Sequence, residues 1–271
     1  FRGRVDLSAD YYIKNTDNLL LDITKAPSVG VITSRENIGE VQNSGFELRL
    51  RTFPIQNKDW QWSLGLTYAY NKNKIKKISN SLREQNEKNK SDNGVAPLPI
   101  YEEGQSLTAL KVVPSAGIDP VTGQEIFIKR DGTYTFVYDS NDKVIFGDTN
   151  PLGTGSITSY LTYKRFALSC SFLYSFGGSL YNETLATKVE GANPKYNADE
   201  RVLNDRWKTP GTVAKYKRID DTTTPYQTSR FVEKNNFLRM SSLSLSYEVP
   251  TNFIQKYGLK RMFLELLTND L

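Results

Sequence analysis

The sequence predicts an all-β chain that forms part of a transmembrane antiparallel β-barrel, with long extracellular loops and short periplasmic turns. Three observations predict it: apolar residues recurring at period two, aromatic residues at both ends of those runs, and connections that alternate between long and short. Period two places the apolar side chains of a run on one face and the polar ones on the other.

The first run is Val5, Leu7, Ala9, Tyr11 and Ile13, set against Arg4, Asp6, Ser8 and Asp10. The second is Phe46, Leu48 and Leu50, alternating with Glu47, Arg49 and Arg51. Trp60, Trp62, Leu64, Leu66, Tyr68 and Tyr70 make the third. Ile157 to Lys164 is a weaker fourth, and Phe166, Leu168, Cys170, Phe172, Tyr174 and Phe176 are the fifth. In the sixth, Leu243, Leu245, Tyr247 and Val249 alternate with Ser242, Ser244, Ser246 and Glu248; its phase slips near Ser241, which predicts a β-bulge. Leu259 to Thr268 is the seventh. Such runs suit the roughly nine to eleven residues that a tilted strand needs to cross a bilayer. Seven is odd, so these residues are expected to form part of a bacterial barrel and not a whole one.

The connections sort by length. Lys14 to Glu40, Lys72 to Gly155 and Gly177 to Asn235 are long; Pro54 to Asp59, Lys164-Arg165 and Pro250 to Gly258 are short. That order predicts three large loops at one mouth and turns at the other. It also sorts the rings. Tyr11, Tyr68, Tyr70, Tyr174 and Phe176 fall at the long-loop end, and Trp60, Trp62 and Phe166 at the turn end, as two interfacial girdles. Inside the second long loop, Asp119-Pro120, Thr122-Gly123 and Asp131-Gly132 predict turns, with a hairpin over Gln124 to Phe136. The polar tract Asn80 to Asn93 reads as a mobile segment.

Composition narrows the function. The chain of 271 residues is 38% hydrophobic and 12% aromatic, with 16 Tyr, 13 Phe and 3 Trp. Its mean hydropathy of -0.51 looks soluble, but a barrel strand turns only alternate residues to lipid. No histidine is present and Cys170 is the single cysteine. The commonest general base, the usual triads, disulfides and thiolate metal clusters are thereby excluded, and no enzyme, catalytic residue, cofactor or metal site is expected. Cys170 reads as a small lipid-facing hydrophobe. The charge is +5; Lys72, Lys74, Lys76, Lys77, Lys88 and Lys90 read as a solvated loop and not a nucleic-acid interface. Asp139, Asn141, Asp142 and Asp148 lack the spacing of a calcium loop and read as polar turns. Gly39 and Gly45 read as permissive backbone at a loop-to-strand junction. Tyr101, Tyr134, Phe136, Tyr138, Tyr181 and Tyr196 are loop rings suited either to stacking on a substrate or to packing the loops together; Tyr101, Tyr134, Tyr138 and Tyr181 are the candidate substrate contacts.

An ordered set of motifs adds a resemblance. Asp10-Tyr11-Tyr12 with Asn18 to Leu21, Asn37 to Leu48, Ala116 to Gly123 with Asp131-Gly132, and Gly147-Asp148 with Asn150-Pro151 follow one another along the chain. Ser175 to Gly178 with Tyr181-Asn182, Ser229 to Glu233 with Phe237 to Arg239, and Leu245 to Pro250 complete the order. The set resembles the SusC/RagA family of TonB-linked outer-membrane proteins. The resemblance implies the last third of a TonB-dependent transporter barrel of about 22 strands, in the outer membrane of a Bacteroidetes-type Gram-negative cell. It implies import of glycan or peptide oligomers, a SusD-like surface lipoprotein as lid, and energy from the TonB complex through an N-terminal plug. Residues 1–271 are expected to be the C-terminal part of the barrel, with plug and N-terminal strands elsewhere and the final strand either missing or cut after Leu271. A soluble carbohydrate-binding β-sandwich is the alternative.

Overall fold

The computed structural model describes residues 3–24, 33–193, 195–221 and 223–270. Twelve strands run in chain order: β1 Val5–Thr24, β2 Thr33–Gln56, β3 Trp60–Ile78, β4 Ala109–Val112, β5 Ser115–Ile118, β6 Glu125–Ile128, β7 Tyr134–Thr135, β8 Val144–Asp148, β9 Gly153–Tyr163, β10 Phe166–Tyr181, β11 Val232–Glu248 and β12 Phe263–Asn269. Seven of them form one antiparallel sheet in the order β1-β2-β3-β9-β10-β11-β12. The seven expected wall strands are all present. The sheet does not close on itself, so it is a partial barrel wall.

Register aligns the alternation of neighbouring strands. Leu7, Leu50, Leu66, Ile157, Phe172 and Met240 form one continuous row across six strands. The neighbouring row of the opposite face holds Ser8, Arg49, Thr67, Ser156, Leu173 and Arg239. Nothing among the described residues covers the apolar face: Leu7 is 61% exposed, Leu238 67% and Leu266 72%. A soluble sandwich would bury that face beneath a second sheet; a membrane wall turns it to lipid.

Both girdles are visible. At the turn end Trp60 lies 4.1 Å from Tyr163 and Phe166 4.7 Å from Tyr247, between ring centroids. At the other end Phe176 neighbours Tyr68 and Tyr174. Between Trp60 and Tyr70 a tilted strand climbs ~24 Å, close to the apolar band of an outer-membrane barrel.

Strand length departs from expectation. β1, β2 and β3 have 20, 24 and 19 residues, and β10 and β11 have 16 and 17. Bilayer thickness limits only the apolar part of a strand; in water the ladder continues on polar side chains. The amides Asn18 and Asn37, Asn15 and Gln42, and Asn43 and Asn71 pair at 2.7, 3.0 and 3.3 Å. The expected loop Lys14 to Glu40 is therefore mostly a two-stranded ribbon, and only residues 25–32 of it lie outside the described residues. Two large folded loops, not three, are seen among the described residues. Lys72, Lys74, Lys76 and Lys77 belong to β3 and not to a solvated loop. The slip at Ser241 is a bulge between the Ser171 and Phe172 pairings, as expected.

The tract read as mobile is a helix, α1 Asn80–Ser91. Ser79 caps its first turn by accepting the Leu82 N–H at 3.2 Å. Lys143 caps its last, donating to the carbonyls of Lys90 and Asp92 at 3.2 and 2.8 Å. Asn86 clamps the backbone of Tyr101 and Asn89 donates to the Pro99 carbonyl. Composition saw polar residues; position makes two of them buried clamps.

The buried apolar clusters lie above the wall, in the two loops. One joins Leu185, Ala186, Val189, Val202, Tyr216 and Phe231; the other joins Ile75, Ile78 and Leu82.

Candidate functional site: the loop cap at the mouth

Loops 79–152 and 182–231 meet at Arg230, in the turn that feeds β11. Its guanidinium donates to Glu125 at 2.8 and 2.7 Å, from β6 of the first loop. It also donates to Glu190 at 2.7 and 2.6 Å, in the second loop, and to the Lys215 carbonyl at 2.8 Å. All three side chains are buried, with 10%, 3% and 0% exposure for Arg230, Glu125 and Glu190. Burial alone would lower the Arg230 pKa, but the hydrogen bonds and charges of the two carboxylates hold it above its ordinary value. Nearby, buried Arg206 donates to the carbonyls of Val202, Lys217, Val189 and Glu190, so one planar fork knits the second loop together. The two loops thus form one cap tied to one wall strand.

The tyrosines predicted to touch substrate divide. Tyr101 packs on the Ile75 cluster. Tyr181 donates to the Val95 carbonyl at 2.7 Å and meets Phe231 edge-on. Tyr138 stacks on Tyr226 with centroids 4.2 Å apart and planes 8° from parallel. Burial raises the pKa of all three phenols. They pack the cap. Tyr134, 70% exposed at the tip of the hairpin, is the one of the four that faces solvent; Phe136 and Tyr196 are exposed as well. The hairpin over Gln124 to Phe136 is present as β6 and β7. Asp139 caps a single turn over Ser140–Asp142, Asp142 accepts the Arg130 N–H, and Asp148 accepts the Thr108 hydroxyl. Asp139 and Asp142 share one turn and Asp148 serves another, as polar turns should.

Sequence reasoning missed Trp207. It lies against Gly123, donates its indole N–H to the Pro120 carbonyl at 2.9 Å, and has the Arg218 guanidinium 5.8 Å from its ring centroid. A cleft of 440 Å³ opens beside it, lined also by Leu203, Ile219 and the Arg218–Asp220 pair. A second cleft, of 550 Å³, shares Ile219 and is lined by Glu190, Lys195, Asp221 and Thr223. The signal was present: Trp207 is the one tryptophan outside the wall girdle.

The family model for the "TonB dependent receptor-like, beta-barrel" matches residues 1–100. TonB-dependent receptor P3 of Formosa agariphila is 29% identical over 97% of this chain, and SusC of Bacteroides thetaiotaomicron is 26% identical over 90%. The chain is thus similar to TonB-dependent receptors, by its first 100 residues to their barrel model and along most of its length to these two relatives. It spans 27% and 24% of the lengths of these two relatives. The RagAB peptide importer in its closed-closed state superposes with a TM-score of 0.81 at 22% identity, over all of this chain and 30% of that one. Its open-open state gives 0.79 at 21%, over all of this chain and 29% of that one. The barrel wall read from the period-two runs and the SusC-like motif order agree with these likenesses. The cap is polar, buttressed and continuous with β10 and β11; the clefts beside Trp207 and Lys195 open mainly in the second loop, and a smaller one of 190 Å³ opens in the first beside Lys143.

Proposed function

We propose that residues 1–271 supply the C-terminal part of the barrel of an outer-membrane importer. The importer moves glycan or peptide oligomers across the outer membrane of a Bacteroidetes-type cell. A SusD-like lipoprotein closes over the mouth, and TonB supplies force through a plug contributed by residues outside this chain. The observation that carries the reading is the two-faced wall: a lipid-suited row of Leu, Ile, Phe and Met beside a mostly polar row of Ser, Thr and Arg, with the folded cap, among the described residues, at the end away from the short turns. Transport on this plan needs no bond-making residue. The cap's clefts hold the oligomer at the mouth, Trp207 and Tyr134 offer rings, and Arg218, Asp220 and Lys195 offer hydrogen bonds. That relatives carry the names of receptors and importers supports a transporter and not an enzyme.

The test uses cells of the source organism with and without the full-length receptor. They are fed fluorescent oligosaccharides and peptides, before and after collapse of the inner-membrane proton gradient. Uptake of one class that needs both receptor and gradient is expected. Uptake unchanged by either loss overturns the proposal.

A further inference from the structure

The turn end of the wall carries an unbalanced charge. Residues 54–59, 164–165 and 249–262 hold Lys58, Lys164, Arg165, Lys256, Lys260 and Arg261 against the single carboxylate Asp59. All six cations are exposed. Arg261 pairs with Glu248 at 2.8 Å; the other five have no carboxylate partner among the described residues. In the cap, by contrast, the buried cations Lys111, Lys217 and Arg230 each pair with a carboxylate.

Rings accompany these cations. The Lys164 ammonium lies 5.3 Å from the Tyr163 ring, in the Trp60–Tyr163 girdle pair. Lys256 lies 5.8 and 5.2 Å from Phe253 and Tyr257. Those two rings are 66% and 73% exposed on a short helical turn whose Ile254 is buried. Val249 and Met262 pair directly above the Tyr247–Leu264 row, so the segment continues the lipid-facing surface.

We propose that this rim is a docking collar for anionic phospholipid headgroups of the leaflet at the turn side. Phe253 and Tyr257 would sit at the acyl boundary, and Lys164, Lys256 and Lys260 would meet lipid phosphates. The inference rests on the reading of the sheet as a membrane wall. Two features choose lipid as the occupant: continuity with the lipid-facing rows, and net positive charge at headgroup level, where each cation is attracted to an anionic surface.

The full-length receptor is reconstituted in vesicles of phosphatidylethanolamine, alone or mixed with phosphatidylglycerol, then extracted, and its retained lipid is counted by native mass spectrometry. Wild type is expected to retain phosphatidylglycerol preferentially. Combined Lys164→Gln, Lys256→Gln and Lys260→Gln should cut that preference, by about five-fold per cation. Phe253→Ser with Tyr257→Ser should lower retention of both lipids. Heat-modifiable gel mobility confirms that each variant is folded. Equal retention of the two lipids by wild type, or an unchanged preference in the triple glutamine variant, overturns the proposal; so does crosslinking of Lys256 to a periplasmic protein in place of lipid. Loss of uptake with the lipid preference intact would sink the importer and leave the collar standing. A receptor that is monomeric in water without detergent sinks both.

Discussion

Arg230 is the residue on which the cap depends. Its two carboxylate partners come from different loops, so removing it leaves two buried negative charges facing each other. Arg230→Met should destabilise the cap by roughly 3–5 kcal/mol. Faster protease cleavage within loops 79–152 and 182–231 of the full receptor, with unchanged barrel mobility on a gel, is the expected signature. Arg230→Lys should rescue little, since an ammonium cannot fork to two carboxylates. A second residue gives a pH dependence. Burial raises the Glu102 pKa, but the hydrogen bond and charge of Lys111, 2.7 Å away, outweigh it and hold the carboxyl below its ordinary value. Its contribution is thus present above the unfolded carboxylate pKa and is lost as pH falls through the lower folded value. Amide exchange in the first loop, followed from about pH 6 to pH 2, should accelerate below the ordinary carboxylate range, and Glu102→Gln should flatten that response. Trp207→Ala tests the cleft: a ring at the centre of a binding site is worth ~2 kcal/mol, or about thirty-fold in Kd. Substrate binding to the full receptor should weaken by that order while the barrel stays heat-modifiable.

Among the elements, strand pairing depends on glycines that leave room for rings. A Cβ on Gly155 would stand 1.9 Å from the Thr67 carbonyl oxygen and 2.6 Å from the Tyr174 hydroxyl, which donates to that same carbonyl at 2.6 Å. On the opposite face Tyr12 lies across Gly45 to donate to Asn71 at 3.1 Å. Gly155→Val should therefore prevent β3, β9 and β10 from closing up, read as loss of the heat-modifiable band; Gly153, bordered by flexible ring edges, should tolerate alanine better. The lower halves of the strands were legible because apolar residues mark their phase. The upper halves were not: Asn15 stands between Lys14 and Thr16 and Asn43 between Gln42 and Ser44, so no hydrophobic period exists to read there. For the same reason α1 looked like a low-complexity tract. The cap's lock was illegible for another reason, since Glu125 and Glu190 stand 105 and 40 positions from Arg230 and no local pattern links them. The motif around Ser229 to Glu233 pointed to the right block without giving its role. Three of the four candidate tyrosines are where loops pack, and only exposure separates Tyr134 from them.

For the whole molecule, the two faces of the wall make opposite demands. Leu66 sits in the central lipid-suited row and Ser171 on the other face. Leu66→Arg should cost ~2–4 kcal/mol of membrane folding energy, whereas an arginine in the lumen is solvated. Urea titration of the full receptor in vesicles should separate Leu66→Arg from a nearly neutral Ser171→Arg; equal losses would mean that both faces are dry.

The ribbon of β1 and β2 has an elbow. Asn18 and Gly39, with φ of 54° and 130°, lie where the register shifts, Gly39 opposite Leu19 and both joined through Asn37. Gly39 tolerates no side chain there, because a Cβ would stand 1.8 Å from the Lys77 carbonyl oxygen. Mechanically, the shift interrupts the ladder between a rod, the ribbon, and the seven-stranded plate, and is expected to act as a joint between them. A sideways load on the rod is taken up as rotation at two residues, and little shear reaches the seven-stranded plate. Pulled from its outer end, the receptor should give way first above the elbow, at low force, with the barrel still standing.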